Sequence, residues 1–210
     1  GYPLTHELAG RVRLIATPRY DAEGCVGPNY SSMVVVAAAD PVTDIAELRG
    51  KRCAINSYGS QSGCNALRTL LAPVAGSRGF FSEVLVSGGH PFSLEMIQRG
   101  QADVAAIDCV THGLFAAHAP HRLEGTRVLC RTASTPALPF ISARATRPDD
   151  VARLRDGLCA AVADAGLAET RAALLIADVE VLSLDAYDCI PRMVQAALDT
   201  GFTDLSPPDA

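Results

Sequence analysis

The chain has 210 residues, of which 49% are hydrophobic, so it is long enough to bury a sizeable core in one domain or in two small ones. Its formal net charge of -5 excludes a broad basic surface for nucleic acid, so a bound anion must be held by local groups. No apolar run reaches the roughly 18 residues that a membrane span needs, and Met33–Ala39 instead predicts a buried strand.

The start of the chain and its cysteines bear on the compartment. The opening GYPLTHELAG shows no charged segment followed by an apolar one, so no signal peptide is visible. The cysteines are spaced singly, without a C-x-x-C pair, which argues against a zinc knuckle and a full disulfide framework but is compatible with a single disulfide. Their number favours a reducing compartment. The seven are Cys25, Cys53, Cys64, Cys109, Cys130, Cys159 and Cys189.

In chain order, an extended segment at Tyr30–Ala39 precedes a strand, loop and helix pattern that repeats between Arg49 and Thr111. The strands are KRCAIN, FFSEVLV and ADVAAID, and each leads through a polar loop into a helical pattern. Alternation of this length predicts an α/β fold with a parallel, doubly wound sheet. The loops that follow such strands meet at one edge of the sheet, where ligands collect.

The rest of the chain predicts a second lobe. Leu138–Ala145 is a second extended segment, and amphipathic helices are expected over Asp149–Ala165 and Ala186–Phe202. A polar tail, 204–210, is expected to be frayed. An α/β unit that is entered and left by two extended crossings indicates two lobes with a cleft between them.

The loop GSQSG is one residue away from the G-x-S-x-G signature of serine hydrolases, because its middle residue is Gln61. Ser60 and Ser62 flank it at the start of a predicted helix, where free N–H groups and the helix dipole attract anions. The alternative is that one of the two serines is an ordinary N-cap, and both interpretations can hold together.

His90 and Asp108 occupy equivalent positions in the two later repeats. His90 lies at a predicted helix start, where it either donates to an anion or is a solvated loop residue. Asp108 ends a strand, where it either caps a helix or accepts a proton or ammonium group of a ligand, a bond that sulfate could not offer.

A hydrolase is the enzymatic alternative. Ser60, His90 and Asp108 supply the residue types of a triad, and Cys109 with His112 is a second pair. Neither set has a recognisable local signature. The histidines have no ligand spacing for a metal, and no cofactor is expected.

Three stretches resemble the phosphate/phosphonate substrate-binding proteins of ABC transporters, which have the type 2 periplasmic-binding fold. They are Tyr30–Arg68 with its S-x-S-G loop, Phe80–Leu114 with G-x-H and DVAAID, and Arg131–Ala143. The resemblance implies two α/β lobes, joined by two hinge crossings, that close on a phosphate-like oxyanion. The ligand-binding residues that it implies are Ser60, Gln61, Ser62, Gly63, His90 and Asp108, with Tyr2 and Tyr30 from the other lobe.

The resemblance also implies the organisation and partners of the chain. The first lobe is expected at 1–38 and 138–210, without its N-terminal portion, and the second at 39–137. The incomplete lobe would expose a sheet edge through which a homodimer could form. Family precedent implies the periplasm and an ABC permease, whereas the cysteines favour the cytoplasm. An enzyme or a cytoplasmic ligand-sensing domain on the same fold is the alternative.

Overall fold

The computed structural model describes residues 1–76, 79–202 and 205, over which strands and helices alternate. The polar tail lies outside these residues apart from Leu205. The strands are β1 (Val12–Tyr20), β2 (Asn29–Tyr30), β3 (Ser32–Ala37), β4 (Arg52–Ile55), β5 (Glu83–Val86), β6 (Val104–Asp108), β7 (Thr126–Arg131), β8 (Thr135–Pro136), β9 (Phe140–Ala143) and β10 (Ile176–Glu180). The helices are α1 (Tyr2–Thr5), α2 (Ala66–Ala75), α3 (His90–Gln98), α4 (Cys109–His118), α5 (Pro148–Ala163), α6 (Ala168–Ala173) and α7 (Cys189–Asp199).

The larger sheet has five strands in the order β5-β4-β6-β3-β7. Strands β4, β5 and β6 are parallel, as the repeating strand, loop and helix pattern predicts. Strand β3 runs antiparallel to both β6 and β7, so the sheet is mixed rather than wholly parallel. The difference arises because β3 enters from a crossing and takes an interior position between β6 and β7, where its backbone groups are paired on both sides.

Alternate side chains of β3 face two separate hydrophobic cores. Val34 and Val36 pack with Leu67 and Leu71 of α2 on one face of the sheet. Met33 and Val35 pack on the other face with α3 and α4. Because side chains of a strand alternate between faces, the run MVVVA needs cover on both sides. Each such buried side chain contributes about 1.5–3 kcal/mol to folding.

A smaller sheet and a short ladder complete the strand structure. Strand β1 pairs antiparallel with β9 on one side and β10 on the other. Strands β2 and β8 form a two-stranded ladder, with Tyr30 opposite Thr135. These two short strands are the crossings between the sheets, because most of Tyr30–Ala39 belongs to β3 of the larger sheet and Leu138–Ala145 contains β9 of the smaller one.

Tyr187 links three parts of the smaller lobe. Its hydroxyl donates to the Ala137 carbonyl at 2.8 Å, after the returning crossing. Since a phenol carries one hydrogen, the Thr17 hydroxyl of β1 is then the donor in the second bond, also 2.8 Å. Burial raises the pKa of Tyr187 to about 12, with the Thr17 bond opposing the shift. The pair of bonds fixes β1 against the crossing.

The expected lobe boundaries differ from the sheets in two places. Strand β3 lies within 1–38, yet it belongs to the five-stranded sheet. The C-terminal segment also packs there, because Ala197 and Phe202 join the core of the five-stranded sheet and the Leu205 carbonyl accepts from Phe80 and Phe81. We propose that the boundary lies at the β2–β8 ladder and that Phe202 and Leu205, after α7, belong to the larger lobe.

Within the described residues, no helix combines the length and the apolar character that a membrane crossing requires.

Candidate functional site

The polar loops of the larger lobe meet at one edge of its sheet. Strands β4, β5 and β6 are parallel, so the loops that follow them share that edge. The antiparallel β3 brings its first residue to the same edge, since Ser32 lies opposite Asp108. The GSQSG loop, His90, Asp108 and the end of the first crossing are therefore neighbours.

The GSQSG loop runs into a π-helical turn, Gln61–Asn65, that precedes α2. Ser60 caps this turn, because its Oγ accepts the Gly63 N–H at 3.0 Å. The Asn65 N–H reaches back to the Ser60 carbonyl at 3.0 Å. Such wide turns are frequent at functional sites. The cap interpretation thus holds for Ser60.

Gly63 is required by close packing. A Cβ at this position would lie 2.6 Å from Cγ of Asn56, at the end of β4. Arg68 supports the turn from α2, because it donates to Asn65 Oδ1 at 2.7 Å while Asn65 Nδ2 donates to the Ser60 carbonyl at 3.1 Å. The sequence predicted no role for Asn65 or Arg68, because their contacts with the turn form only once the chain is folded.

Ser62 contacts the histidine. Its Oγ is hydrogen bonded to His90 Nε2 at 3.0 Å, and the same nitrogen lies 3.6 Å from Asp108 Oδ2. His90 and Asp108 are each only 8% exposed. Burial lowers the pKa of His90, and the Asp108 carboxylate opposes that shift. The neutral imidazole is therefore favoured at pH 7.

This arrangement differs from a hydrolase triad. In a triad one imidazole nitrogen takes the nucleophile and the other is held by the carboxylate. Here Ser62 and Asp108 both approach Nε2, and Ser60 is occupied as a cap. In the alternative pair, Cys109 faces the thiol of Cys25, 3.4 Å away.

Asp108 is also an N-cap, as one of the two interpretations expected. Its Oδ1 accepts the N–H groups of Val110 and Thr111, each at 2.9 Å. Its Oδ2 accepts from the Thr111 hydroxyl at 2.6 Å. These bonds hold the carboxylate beside His90 at the start of α4.

A narrow crevice separates the GSQSG turn from the two crossings. It does not admit a water molecule in this conformation. Its lining is rich in hydroxyl groups and contains no Lys or Arg, and comprises Tyr30, Ser31, Ser32, Gln61, Ser62, Ala66, Thr132, Ala133 and Thr135. The crevice therefore offers neutral hydroxyl and amide groups and no cationic side chain.

Two lining residues have marked electrostatic features. Tyr30 is 2% exposed, and burial raises its pKa, as does the nearby Asp108 charge. Gln61 Oε1 is buried without a hydrogen-bond partner among the described residues. A buried polar atom of this kind is usually satisfied by something, such as water or a ligand.

The structure brings together most of the predicted residues. Tyr30, Gln61 and Ser62 line the crevice, and His90 and Asp108 are linked to it through Ser62. Tyr2 does not line it; its ring stacks on His6, with the centroids 3.8 Å apart. A ligand contact for Tyr2 stays a prediction.

Four hydroxyl residues of the lining were not predicted: Ser31, Ser32, Thr132 and Thr135. Thr132 Oγ1 accepts the Ser32 N–H at 2.9 Å, which joins the two crossings at the crevice. The signal was present as hydroxyl-rich sequence, SS after Tyr30 and RTASTP before the returning crossing.

No group of three or more His, Cys, Asp or Glu in the described ranges is arranged to hold a metal ion.

The family model described as periplasmic substrate-binding protein of phosphonate ABC transporters matches residues 1–187. No curated protein matches the chain.

Several solved structures are similar to the chain. A Xanthomonas citri protein bound to ATP is 16% identical over 95% of this chain and 76% of its own, with a TM-score of 0.70. A binding-protein component of a Pseudomonas aeruginosa phosphonate ABC transporter is 17% identical over 90% of this chain and 64% of its own, with a TM-score of 0.72. PhnD1 from Prochlorococcus marinus, in complex with methylphosphonate, is 14% identical over 90% of this chain and 72% of its own, with a TM-score of 0.75. At these identities the solved structures show a shared fold.

Proposed function

The chain belongs to the family of periplasmic substrate-binding proteins of phosphonate ABC transporters, and from this premise we propose that it binds a small phosphonate-like or phosphate-like oxyanion in the crevice. The predicted family and the type 2 periplasmic-binding fold are both confirmed. The identity of the ligand and the roles of single residues are our proposal.

One observation carries the proposal: Ser62 lines a hydroxyl-rich crevice without Lys or Arg and is hydrogen bonded to the buried His90, while the neighbouring Gln61 oxygen has no hydrogen-bond partner among the described residues. Hydroxyl, imidazole and helix N–H donors suit a tetrahedral oxyanion. A phosphonate or phosphate monoanion also carries one proton, which the Gln61 oxygen or Asp108 can accept. Sulfate carries no such proton, so these acceptors would select against it.

The proposed residue roles divide into contact and support. Gln61, Ser62 and His90 contact the oxyanion, and Ser60 supports the turn through its cap. Asp108 has both roles, because it caps α4 and offers a second acceptor for the ligand proton. The Gly63 N–H already donates to Ser60, so Gly63 acts by letting the turn pack against Asn56. Tyr30 forms one wall of the crevice.

The family consists of transport binding proteins rather than enzymes. The shared use of His90 Nε2 by Ser62 and Asp108 further argues against a hydrolase on this fold. We propose a membrane permease of the ABC type as the partner. A ligand-sensing domain is the second candidate, and such a domain would bind the oxyanion without a permease.

The test is a calorimetric titration with methylphosphonate, phosphate, 2-aminoethylphosphonate, sulfate and acetate. We expect binding of the protonated phosphorus oxyanions, with the ligand recovered unchanged. Ser62→Ala should weaken their binding about 10-fold, or about 1.4 kcal/mol, because a buried hydrogen bond to the anion is lost.

Two further variants make this result specific. Ser82→Ala, at an exposed serine before β5, is the matched control and should bind like the wild type. Ser60→Ala should mainly lower the free energy of unfolding, by about 1 kcal/mol, because it removes a cap. Binding that is equally strong in Ser62→Ala would refute the site, and turnover of the ligand would favour an enzyme.

A further inference from the structure

Two of the seven cysteines meet at the edge of the candidate site. The Sγ atoms of Cys25 and Cys109 lie 3.4 Å apart, although 84 positions separate the two residues in sequence. Cys109 is buried and directly follows Asp108 at the start of α4. Cys25 is partly exposed and lies in the segment 21–28, which leads from β1 to the first crossing.

The backbone holds the two thiols together. The Cys109 N–H donates to the Ser31 carbonyl at 3.0 Å, and the Ser31 hydroxyl donates to the Gly24 carbonyl at 3.0 Å. Ser31 therefore links the two regions: its carbonyl is bonded to the start of α4, and its hydroxyl is bonded to the segment 21–28.

Gly24 permits this close approach. Its φ of +94° lies in the left-handed region, and a Cβ there would be 2.8 Å from Ser31 Oγ and 3.0 Å from Cys109 Cβ. A disulfide needs the sulfur atoms to move only about 1.4 Å closer, since its S–S bond is about 2.05 Å long. Small rotations of the two side chains cover such a distance.

The two thiols also differ in chemical character. The hydrogen bond from Cys25 lowers the pKa of Cys109, although burial works in the opposite direction. The same hydrogen bond raises the pKa of Cys25, as does burial. Cys109 is thus the more easily ionised thiol, while Cys25 is the one that solvent reaches.

We propose that Cys25 and Cys109 form a reversible disulfide that fastens the segment 21–28 to the start of α4 beside the ligand crevice. Cys25 reacts first because it is the thiol that a small disulfide can reach: its thiolate attacks one sulfur of oxidised glutathione, the S–S bond of glutathione breaks, and one glutathione thiol leaves while the other stays in a mixed disulfide with Cys25. The Cys109 thiolate then attacks Cys25 Sγ and expels the second thiol. The two electrons and two protons lost by the cysteines leave in the two released thiols. In an oxidising compartment the pair is a disulfide, and in a reducing one it is two thiols.

The disulfide would restrict the first crossing between the two lobes. The segment 21–28 continues directly into β2, which forms the ladder between the lobes. Fastening it to α4 restricts the first crossing and closes a loop of 84 positions in the unfolded chain. We therefore expect slower hydrogen exchange over 21–31 and a rise in Tm of about 5–10 °C on oxidation.

The experiment equilibrates the full chain with oxidised glutathione, alkylates the remaining thiols, and maps the peptides by mass spectrometry. We expect a peptide pair linked through Cys25 and Cys109, together with the rise in Tm, and reversal of both by dithiothreitol. Cys25→Ser should abolish the linked pair and the rise. Cys159→Ser, at an exposed position of α5, is the matched control and should retain both.

Mapping of the wild type decides the question even if the Cys25 variant folds poorly. Recovery of Cys25 and Cys109 as alkylated thiols or separate glutathione adducts at equilibrium would overturn the proposal. So would a linked pair that leaves hydrogen exchange over 21–31 unchanged. No oxyanion is needed for any of these measurements, so their outcome is independent of the proposed ligand.

Discussion

At the scale of single residues, the two serines that flank Gln61 have different roles. Ser60 Oγ accepts a backbone N–H within its own turn, whereas Ser62 Oγ reaches across to His90 on α3. Asp108 combines both kinds of role, because it caps α4 and lies beside His90. One carboxylate can thus cap a helix and also lie beside a histidine on a neighbouring helix.

Burial of His90 predicts a pH dependence of stability. Because burial lowers its pKa in the folded state, the unfolded chain binds more protons, so the free energy of unfolding decreases as the pH falls below about 6.5. His90→Gln should flatten this decrease, as shown by urea unfolding without ligand at pH 5 and pH 7.5. Burial also lowers the pKa of His112, so part of the pH dependence should persist in His90→Gln.

Gln101→Ala, an exposed change that does not titrate, is the control and should keep the wild-type pH profile. An identical profile for His90→Gln and the wild type would show that the His90 pKa is the same in both states.

Asp108 predicts selectivity between oxyanions. If its carboxylate accepts the proton of the ligand, Asp108→Asn should lower the ratio of phosphate to sulfate affinity by about 10-fold, since an amide can also donate to sulfate. Calorimetric titration with both anions measures this ratio. Asp156→Asn makes the same charge change at an exposed position of α5 and should leave the ratio alone. A ratio that Asp108→Asn does not alter would remove this role.

At the scale of elements, the site depends on how three strands end. The loops after the parallel strands β4, β5 and β6 lie at one edge of the sheet. In the wide turn before α2, Ser60 Oγ accepts from the Gly63 N–H while Ser62 reaches His90 at the start of α3. This turn requires Gly63 to pack closely against the side chain of Asn56.

Gly63→Ala tests this packing. The added methyl group would meet Asn56 at 2.6 Å, so we expect a loss of about 1–3 kcal/mol in the free energy of unfolding, together with weaker oxyanion binding. Gly157→Ala is the matched control, because nothing lies within 4 Å of its Cβ and it sits inside α5. There alanine should stabilise by about 0.5–1 kcal/mol. Equal effects in urea unfolding would mean that the turn yields to the methyl group.

At the scale of the whole molecule, the two lobes are joined by more than the crossings. The β2–β8 ladder connects them, and α7 packs with Ile190 against the smaller lobe while the chain after it packs with Phe202 in the larger core. The crevice admits no water when closed, so we expect the lobes to part for a ligand to enter.

Phe202→Ala tests whether the C-terminal segment supports the larger lobe. Phe202 is 1% exposed in that core, so its truncation should cost about 3–5 kcal/mol in urea unfolding. Phe92→Ala, at a phenylalanine of α3 that is 57% exposed, should cost less than about 1 kcal/mol. A small effect at Phe202 would assign the segment to the smaller lobe, as the sequence predicted.

Local patterns in the sequence were sufficient for the parallel strands, their helices and a serine cap before α2, because each depends on residues that are close along the chain, whereas the structure decided that the cap is Ser60. The family followed from the resemblance of three stretches. The homodimer, the compartment and the contacts of each site residue with a ligand stay predictions. Only the tertiary structure decided the antiparallel position of β3 between β6 and β7, the approach of Thr132 to Ser32, the contact between Cys25 and Cys109, and the packing of Phe202. Each of these joins residues far apart in sequence, and no local propensity or periodicity encodes which distant partner a strand end, a thiol or an apolar ring will meet.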